Sequence, residues 1–344
     1  IESELKDLEN KLKEPKQNEY GRVDKAAAWM LLARVYLNAE VYTGTAKWSE
    51  ALTYSEKVIN AGSYSLAPKF IHNFLADNHT SPEFIWSLNF DGQSSMTAGG
   101  ATFLTLCQNA GNMNTYVDFG AAGWGNIRLR PEFVDKFSEA DQEFRIDVEK
   151  NFDLKYGNYK RDKRSLIYNY EHDKIIEEVD KTDVNRGPAS TKWRNVTKEG
   201  VDGKDKGSVD VDFPVFRLAD AYLMAAEAII RTNGDRAKAL SYLNIIRDRA
   251  YESGDFGNEV REPLTDSEMT LDFIIDERSR EMAWELTRRS DLIRFGLFTS
   301  DKYVWNWKGH VINGRGVDAK YNLYPIPEED VTANPNLKQN PDFL

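Results

Sequence analysis

Apolar positions recur at helical spacing in two well-separated stretches. Residues 22–61 predict a helical hairpin in which Trp29, Leu32, Ala33 and Tyr36 fit the first-helix half of a tetratricopeptide repeat, with alanine at the small position. The connection VYTGTAKW (41–48) is long for such a repeat, and the second helix ends at Gly62, a suitable C-cap. Residues 217–250 predict another hairpin, turning at Gly234-Asp235. Leu223, Ala226 and Ile230 mark its first helix, and Ala239 and Leu243 its second. Ala225, Ala226 and Ala228 let two helices approach closely. One hairpin cannot bury its own apolar face, so such units stack. The fold class expected is mainly α.

Between the hairpins the pattern changes. Seven of the 22 glycines fall between Gly92 and Gly125, interleaved with aromatic residues. PEFIWSLNF (82–90) predicts a short strand, and the following segments to residue 126 predict irregular, non-helical loops. Helix returns at 131–145, with Pro131 in its first turn. Short apolar pieces and charged turns alternate over 146–213, consistent with exposed connections and a hairpin. From Trp305 onward Pro325, Pro327, Pro335 and Pro341 predict an extended tail.

The most charged helical pattern is LDFIIDERSREMAWELTRRSDLIRFG (271–296). Ile274, Ile275, Met282, Leu286, Leu292 and Ile293 are its apolar anchors. Glu277, Glu281 and Glu285 fall four apart, on one helix face, with Arg278, Arg280, Arg288, Arg289 and Arg294 close by. A salt-bridge network on a buried or half-buried helix accounts for this run better than acid–base catalysis does.

Composition narrows the function classes. The 344 residues carry a net charge of −11, and no basic stripe exists to neutralise phosphates, so nucleic acid is not an expected partner. The single cysteine, Cys107, excludes an internal disulfide and predicts a buried free thiol. No apolar run reaches the length of a membrane span.

Four stretches, in order, resemble the SusD/RagB family of Bacteroidetes outer-membrane nutrient-binding lipoproteins. They are FRLADAYLMAAEAIIRTNGDRAKALSYLNIIRDRA (216–250), ERSREMAWELTRRSDLIRFG (277–296), YVWNWKGHVINGRGVDAKYNLYPIP (303–327) and NPNLKQNPDF (334–343). GWGNIRLRPEFVDKFSEADQEFR (123–145) fits more loosely. The resemblance implies one SusD-like domain over 1–344. Its parts would be repeat hairpins at 22–61 and 217–250, a loop-rich insertion at 62–213 holding the glycan site, and a signature helix and tail at 264–344. It also implies a surface lipoprotein of the cell outer membrane, with a SusC-like TonB-dependent transporter as partner and an oligosaccharide or polysaccharide as ligand. The leader, the lipidated cysteine and an N-terminal helical part are expected upstream of Ile1, so membrane contact would run only through that anchor.

The candidate chemistry is recognition rather than turnover. His72, His79, His172 and His310 form no HExxH or other close metal-ligand spacing, and GxSxG, P-loop and GxGxxG motifs are absent. No cofactor is expected. A sugar presents an apolar C–H face and a rim of hydroxyls, so it needs an aromatic platform with planar hydrogen-bonding partners. Trp124, between two glycines, and Tyr116, with Asn114, Asn126 and Arg128 as polar partners, form the ligand-binding candidates; Trp86 joins them, although a strand position also suits packing. Trp305 and Trp307 make a second aromatic pair, more simply read as tail packing. Two other functions stay open: an α-helical glycoside hydrolase using acids of 132–147 or 277–291, and a repeat scaffold gripping a protein.

Overall fold

The computed structural model describes residues 1–111, 113–142, 162–178, 187–251 and 263–343. They divide into two compact units, Ile1–Arg288 and Arg289–Leu344.

The larger unit is built on helices. After α1 (Glu2–Leu8), the first hairpin consists of α2 (Lys25–Leu37), a short α3 (Ala39–Thr43) filling the long connection, and α4 (Trp48–Asn60). Asp24 caps α2 by accepting from the Ala27 N–H, and Gly62 takes a left-handed conformation just beyond α4. Leu32, Ala33 and Tyr36 are buried where α2 meets α4, while Trp29 is partly buried against the same core. In chain order there follow β1 (Phe84–Leu88), α5 (Gly100–Gln108), α6 (Met113–Tyr116), α7 (Pro131–Val134) and α8 (Glu139–Gln142). Beyond them come β2 (Ile167–Tyr168), β3 (Ala189–Ser190), β4 (Phe213–Arg217), and the second hairpin of α9 (Leu218–Arg231) and α10 (Arg236–Tyr251). α9 packs on α2, α4, α10 and α11 (Leu271–Met282), so the two predicted hairpins share one core despite their sequence separation. β1 pairs antiparallel with β4, and β2 with β3.

Three expectations are corrected. The glycine-rich stretch is not helix-free: α5 buries Ala101, Thr105 and Gln108 along one face, and the small and polar character of that face hid its period. Only residues 131–134 and 139–142 of the helix expected at 131–145 are helical among the described residues, and 143–145 lie outside them. The 271–296 run is two helices, α11 and α12 (Arg288–Arg294). Trp284 and Leu286 have φ of +63° and +62°, conformations that bulky residues rarely adopt, so Glu285 lies beyond the helix carrying Glu277 and Glu281. Leu286, expected as an anchor, is 83% exposed.

The break brings charges together. Arg217, at the end of β4, donates to Glu83 (2.8 Å), Glu281 (2.6 Å) and Glu285 (2.6 Å). Arg249 reaches Glu83 and Glu281, and Arg164 reaches Asp162, Glu277 and Glu281. Asp220 is shared by Arg34 and Arg278. All these acids are buried, and so are Arg164, Arg217, Arg249 and Arg278. Burial alone would push the carboxyls up. Arg164 and Arg280 overcome it and hold Glu277 at about 2; Arg34 and Arg278 do the same for Asp220, also about 2. Arg249 and Arg217 hold Glu281 and Glu83 below the ordinary range against the same penalty.

A depressed folded pKa means stability present above the unfolded value and lost as pH falls through the folded one. Thermal unfolding followed by circular dichroism should therefore show a midpoint falling progressively from pH 4.5 towards pH 2, Glu277 alone contributing about 3 kcal/mol. A midpoint unchanged down to pH 2.5 would overturn this.

The smaller unit holds most of α12, two single turns of 3-10 helix (Lys308–His310 and Ala319–Asn322) and α13 (Glu328–Ala333). The last corrects the expectation of a wholly extended tail. Pro327 stands at the N-cap of α13, and Glu328, Glu329 and Asp330 fill its first turn, a sequence that starts a helix.

Candidate functional site

Four of the six candidate residues, Asn114, Trp124, Asn126 and Arg128, belong to segments that meet near the C-terminal end of α5. The chain after Gly120 returns to that end: the Trp124 N–H donates to the Leu106 carbonyl (2.7 Å) and the Ile127 N–H to the Cys107 carbonyl (3.2 Å). Two helix-terminal carbonyls that α5 leaves unpaired are thus used to dock the segment. Asn109 completes the joint, its side-chain amide donating to the carbonyls of Ala121 and Ala122 and to Asn114 Oδ1 (3.0 Å). A Cβ on Gly123 would lie 2.5 Å from the Asn109 carbonyl oxygen, so the close approach requires glycine there. Cys107 is buried beneath; burial pushes its thiol up, which keeps it protonated and unreactive.

This joint holds Trp124 out. Its indole is 44% exposed, as is the Phe103 ring on α5, and the two meet edge to face with centroids 6.3 Å apart. Phe103 is not among the binding candidates that the sequence suggests. Its place on the face of α5 opposite Ala101 and Thr105 was the available signal. Asn126 is exposed two residues beyond Trp124, and Arg128 is half-buried, donating to the Ile127 carbonyl (2.8 Å). Asn114 is exposed and tied to the joint through Asn109.

The remaining candidates sit elsewhere in the packing. Tyr116 is half-buried in a tyrosine group, edge-on to Tyr170 (5.1 Å) and tilted to Tyr168 (6.5 Å). Trp86 belongs to the helical core: its indole N–H donates to the Gly21 carbonyl (3.2 Å), and its ring packs on Phe216. Among the described residues, no group of three or more His, Cys, Asp or Glu side chains is placed to hold a metal. No helix among them is long and apolar enough to cross a membrane.

Comparison with known proteins agrees with the helical framework and with the four quoted stretches. Residues 82–343 match the SusD family. The chain belongs to that family. It is 36% identical to starch-binding protein SusD of Bacteroides thetaiotaomicron, an alignment that covers 100% of this chain and 64% of that protein. Among solved structures, a SusD superfamily protein from Parabacteroides distasonis has the same fold (TM-score 0.69, 22% identity, 100% of this chain and 68% of that one). So does surface glycan-binding protein A from Bacteroides thetaiotaomicron in complex with laminarihexaose (TM-score 0.65, 23% identity, 98% and 70%). The chain spans just under two thirds of the length of its curated SusD relative.

Proposed function

We propose that this chain captures oligosaccharide at the cell surface for a SusC-like TonB-dependent transporter of the outer membrane, as part of a lipid-anchored protein. The observation that carries the reading is the exposed Phe103–Trp124 pair, held by backbone hydrogen bonds in a chain 36% identical to a starch-binding SusD. Two rings at an angle offer a sugar one stacking face and one edge, and Asn114, Asn126 and Arg128 supply polar partners for its hydroxyls. The transporter and the anchor are proposed from family membership alone.

Catalysis by the 277–291 acids is disfavoured on physical grounds. Glu277, Glu281 and Glu285 are buried and held by arginines and Lys192, with no access for sugar or water. Glu277 and Glu281 are shifted downward, whereas a glycosidase acid must be shifted upward. We therefore read the chain as a binder rather than an enzyme.

The test is affinity gel electrophoresis on amylopectin, with laminarin in parallel. The chain should be retarded by at least one of them. Trp124→Ala should weaken that binding about 30-fold, the roughly 2 kcal/mol typical of an anchoring tryptophan. Equal retardation of both proteins would remove the site, and retardation by neither glucan would remove the ligand class.

A further inference from the structure

The C-terminal unit contains an aromatic cleft that the glycan platform does not use. Its volume is about 980 Å³, and its lining includes Trp305, Trp307, Tyr321, Tyr324, Arg289 and Arg315. The VWNWKGHVINGRG segment folds back on itself to build one side. The Trp307 N–H donates to the Ile312 carbonyl (3.1 Å) and the Arg315 N–H to the Lys308 carbonyl (3.1 Å). Gly314 has φ +72°, and a Cβ there would lie 2.4 Å from the Trp305 carbonyl oxygen, so this return also demands glycine. Lys308 is spent on structure: its buried ammonium donates to the carbonyls of Ser300 (2.5 Å) and Tyr303 (2.6 Å) beneath the Trp305 ring.

The two arginines are different. Arg289 spans the Tyr321 and Asn322 carbonyls with one terminal nitrogen and lies 4.0 Å from the Tyr324 ring centre. Arg315 gives its Nε–H to the Gly309 carbonyl (3.1 Å). Neither has a carboxylate partner among the described residues, although the chain holds 56 acids against 45 lysines and arginines. Arg34, Arg164, Arg217, Arg249, Arg278 and Arg280 all reach one. The sole acid on the cleft lining is Asp318, which caps a turn by accepting from the Lys320 N–H. The cleft is therefore a positive, aromatic-walled recess in an acidic protein.

We propose that this cleft binds an anionic sugar, its ring against the tryptophan and tyrosine faces and its carboxylate or sulfate on Arg315 and Arg289. Guanidinium forks suit both anions, and the cation already stacked on Tyr324 is pre-positioned. The choice of a sugar rests on the glycan-binding reading above; the demand for an anion rests on the cleft alone.

Titration calorimetry with trigalacturonate, its methyl ester and a sulfated trisaccharide tests this. The acid or the sulfated sugar should bind, and which of them does identifies the anion. Removing the charge, or Arg315→Gln at an exposed position, should weaken binding at least tenfold. Trp124→Ala should leave it unchanged, and retardation by the glucan that binds should survive Arg315→Gln, which also shows that the variant folds. No binding of either anion, equal binding of the ester, or an unaffected Arg315→Gln variant would overturn the proposal. If glucan binding still depended on Trp124 in that event, the cleft alone would be wrong. If glucan binding were absent too, the glycan reading itself would fall.

Discussion

Alanine at position 281 is expected to lower the unfolding free energy by about 3–5 kcal/mol, the usual penalty for removing one partner of a buried ion network. Glu281 is fully buried, and its two oxygens serve Arg217 (2.6 Å), Arg249 and Arg164 (3.3 Å). Those arginines come from the end of β4, the end of α10 and the insertion, so one carboxylate on α11 ties three distant chain segments together. Its loss leaves an excess of buried positive charge that no nearby water can solvate. Glu281→Gln keeps the volume and part of the hydrogen bonding, so it should fall between wild type and alanine. Urea unfolding gives the comparison. An alanine variant within about 1 kcal/mol of wild type would mean the network is peripheral to stability, as surface pairs usually are.

That network shows what a sequence can and cannot disclose. The run of acids and arginines at 277–294 announced ion pairs, but most of the partners do not lie within the run. Arg164, Arg217 and Arg249 carry no local signal, because pairing across 32 to 117 residues is decided by how α9, α10 and α11 pack. The break between α11 and α12 was equally hidden. AWELT contains good helix formers, and only tertiary demand explains the left-handed Trp284 and Leu286. Glu285, between them, meets Arg217 and Lys192, and Trp284 packs into the core near Phe70 and Phe74; those contacts offset the backbone strain. The hairpins, by contrast, were legible because their apolar spacing matches the buried faces almost residue for residue.

The candidate site was legible in the same uneven way. Glycine on both sides of Trp124 foretold an uncrowded indole, and the indole is indeed half in solvent. Phe103 gives no such signal: the buried side of α5 mixes Ala101, Thr102, Thr105 and Gln108 with Leu106, so its helical period is weak among the surrounding glycines. Trp86 follows the packing alternative that its strand position suggested: its ring lies against the helical core and its indole N–H meets the Gly21 carbonyl.

Gly120→Ala should abolish glucan retardation without touching either platform ring. Gly120 has φ +57°, and a Cβ there would stand 2.2 Å from the Asn195 carbonyl oxygen and 2.7 Å from Val196 Cγ1. The nearest obstacle is backbone. It cannot swing aside, because the Asn195 N–H donates to the Phe119 carbonyl (2.7 Å) and the Asn195 amide to the Gly120 carbonyl (3.2 Å). Left-handed geometry costs alanine about 1–2 kcal/mol, and the clash adds about 1–3 kcal/mol. The segment that must yield is the loop leading to Trp124, so relief of the clash moves the indole away from Phe103. Gly62→Ala is the matched control: its φ is +66°, but nothing lies within 4 Å of the added carbon. It should lose only the conformational part of the stability and bind normally. Measured together, midpoint and retardation separate backbone strain from displacement. If both variants showed the same small loss of stability and full binding, the seating of Trp124 on α5 would not be what positions the platform.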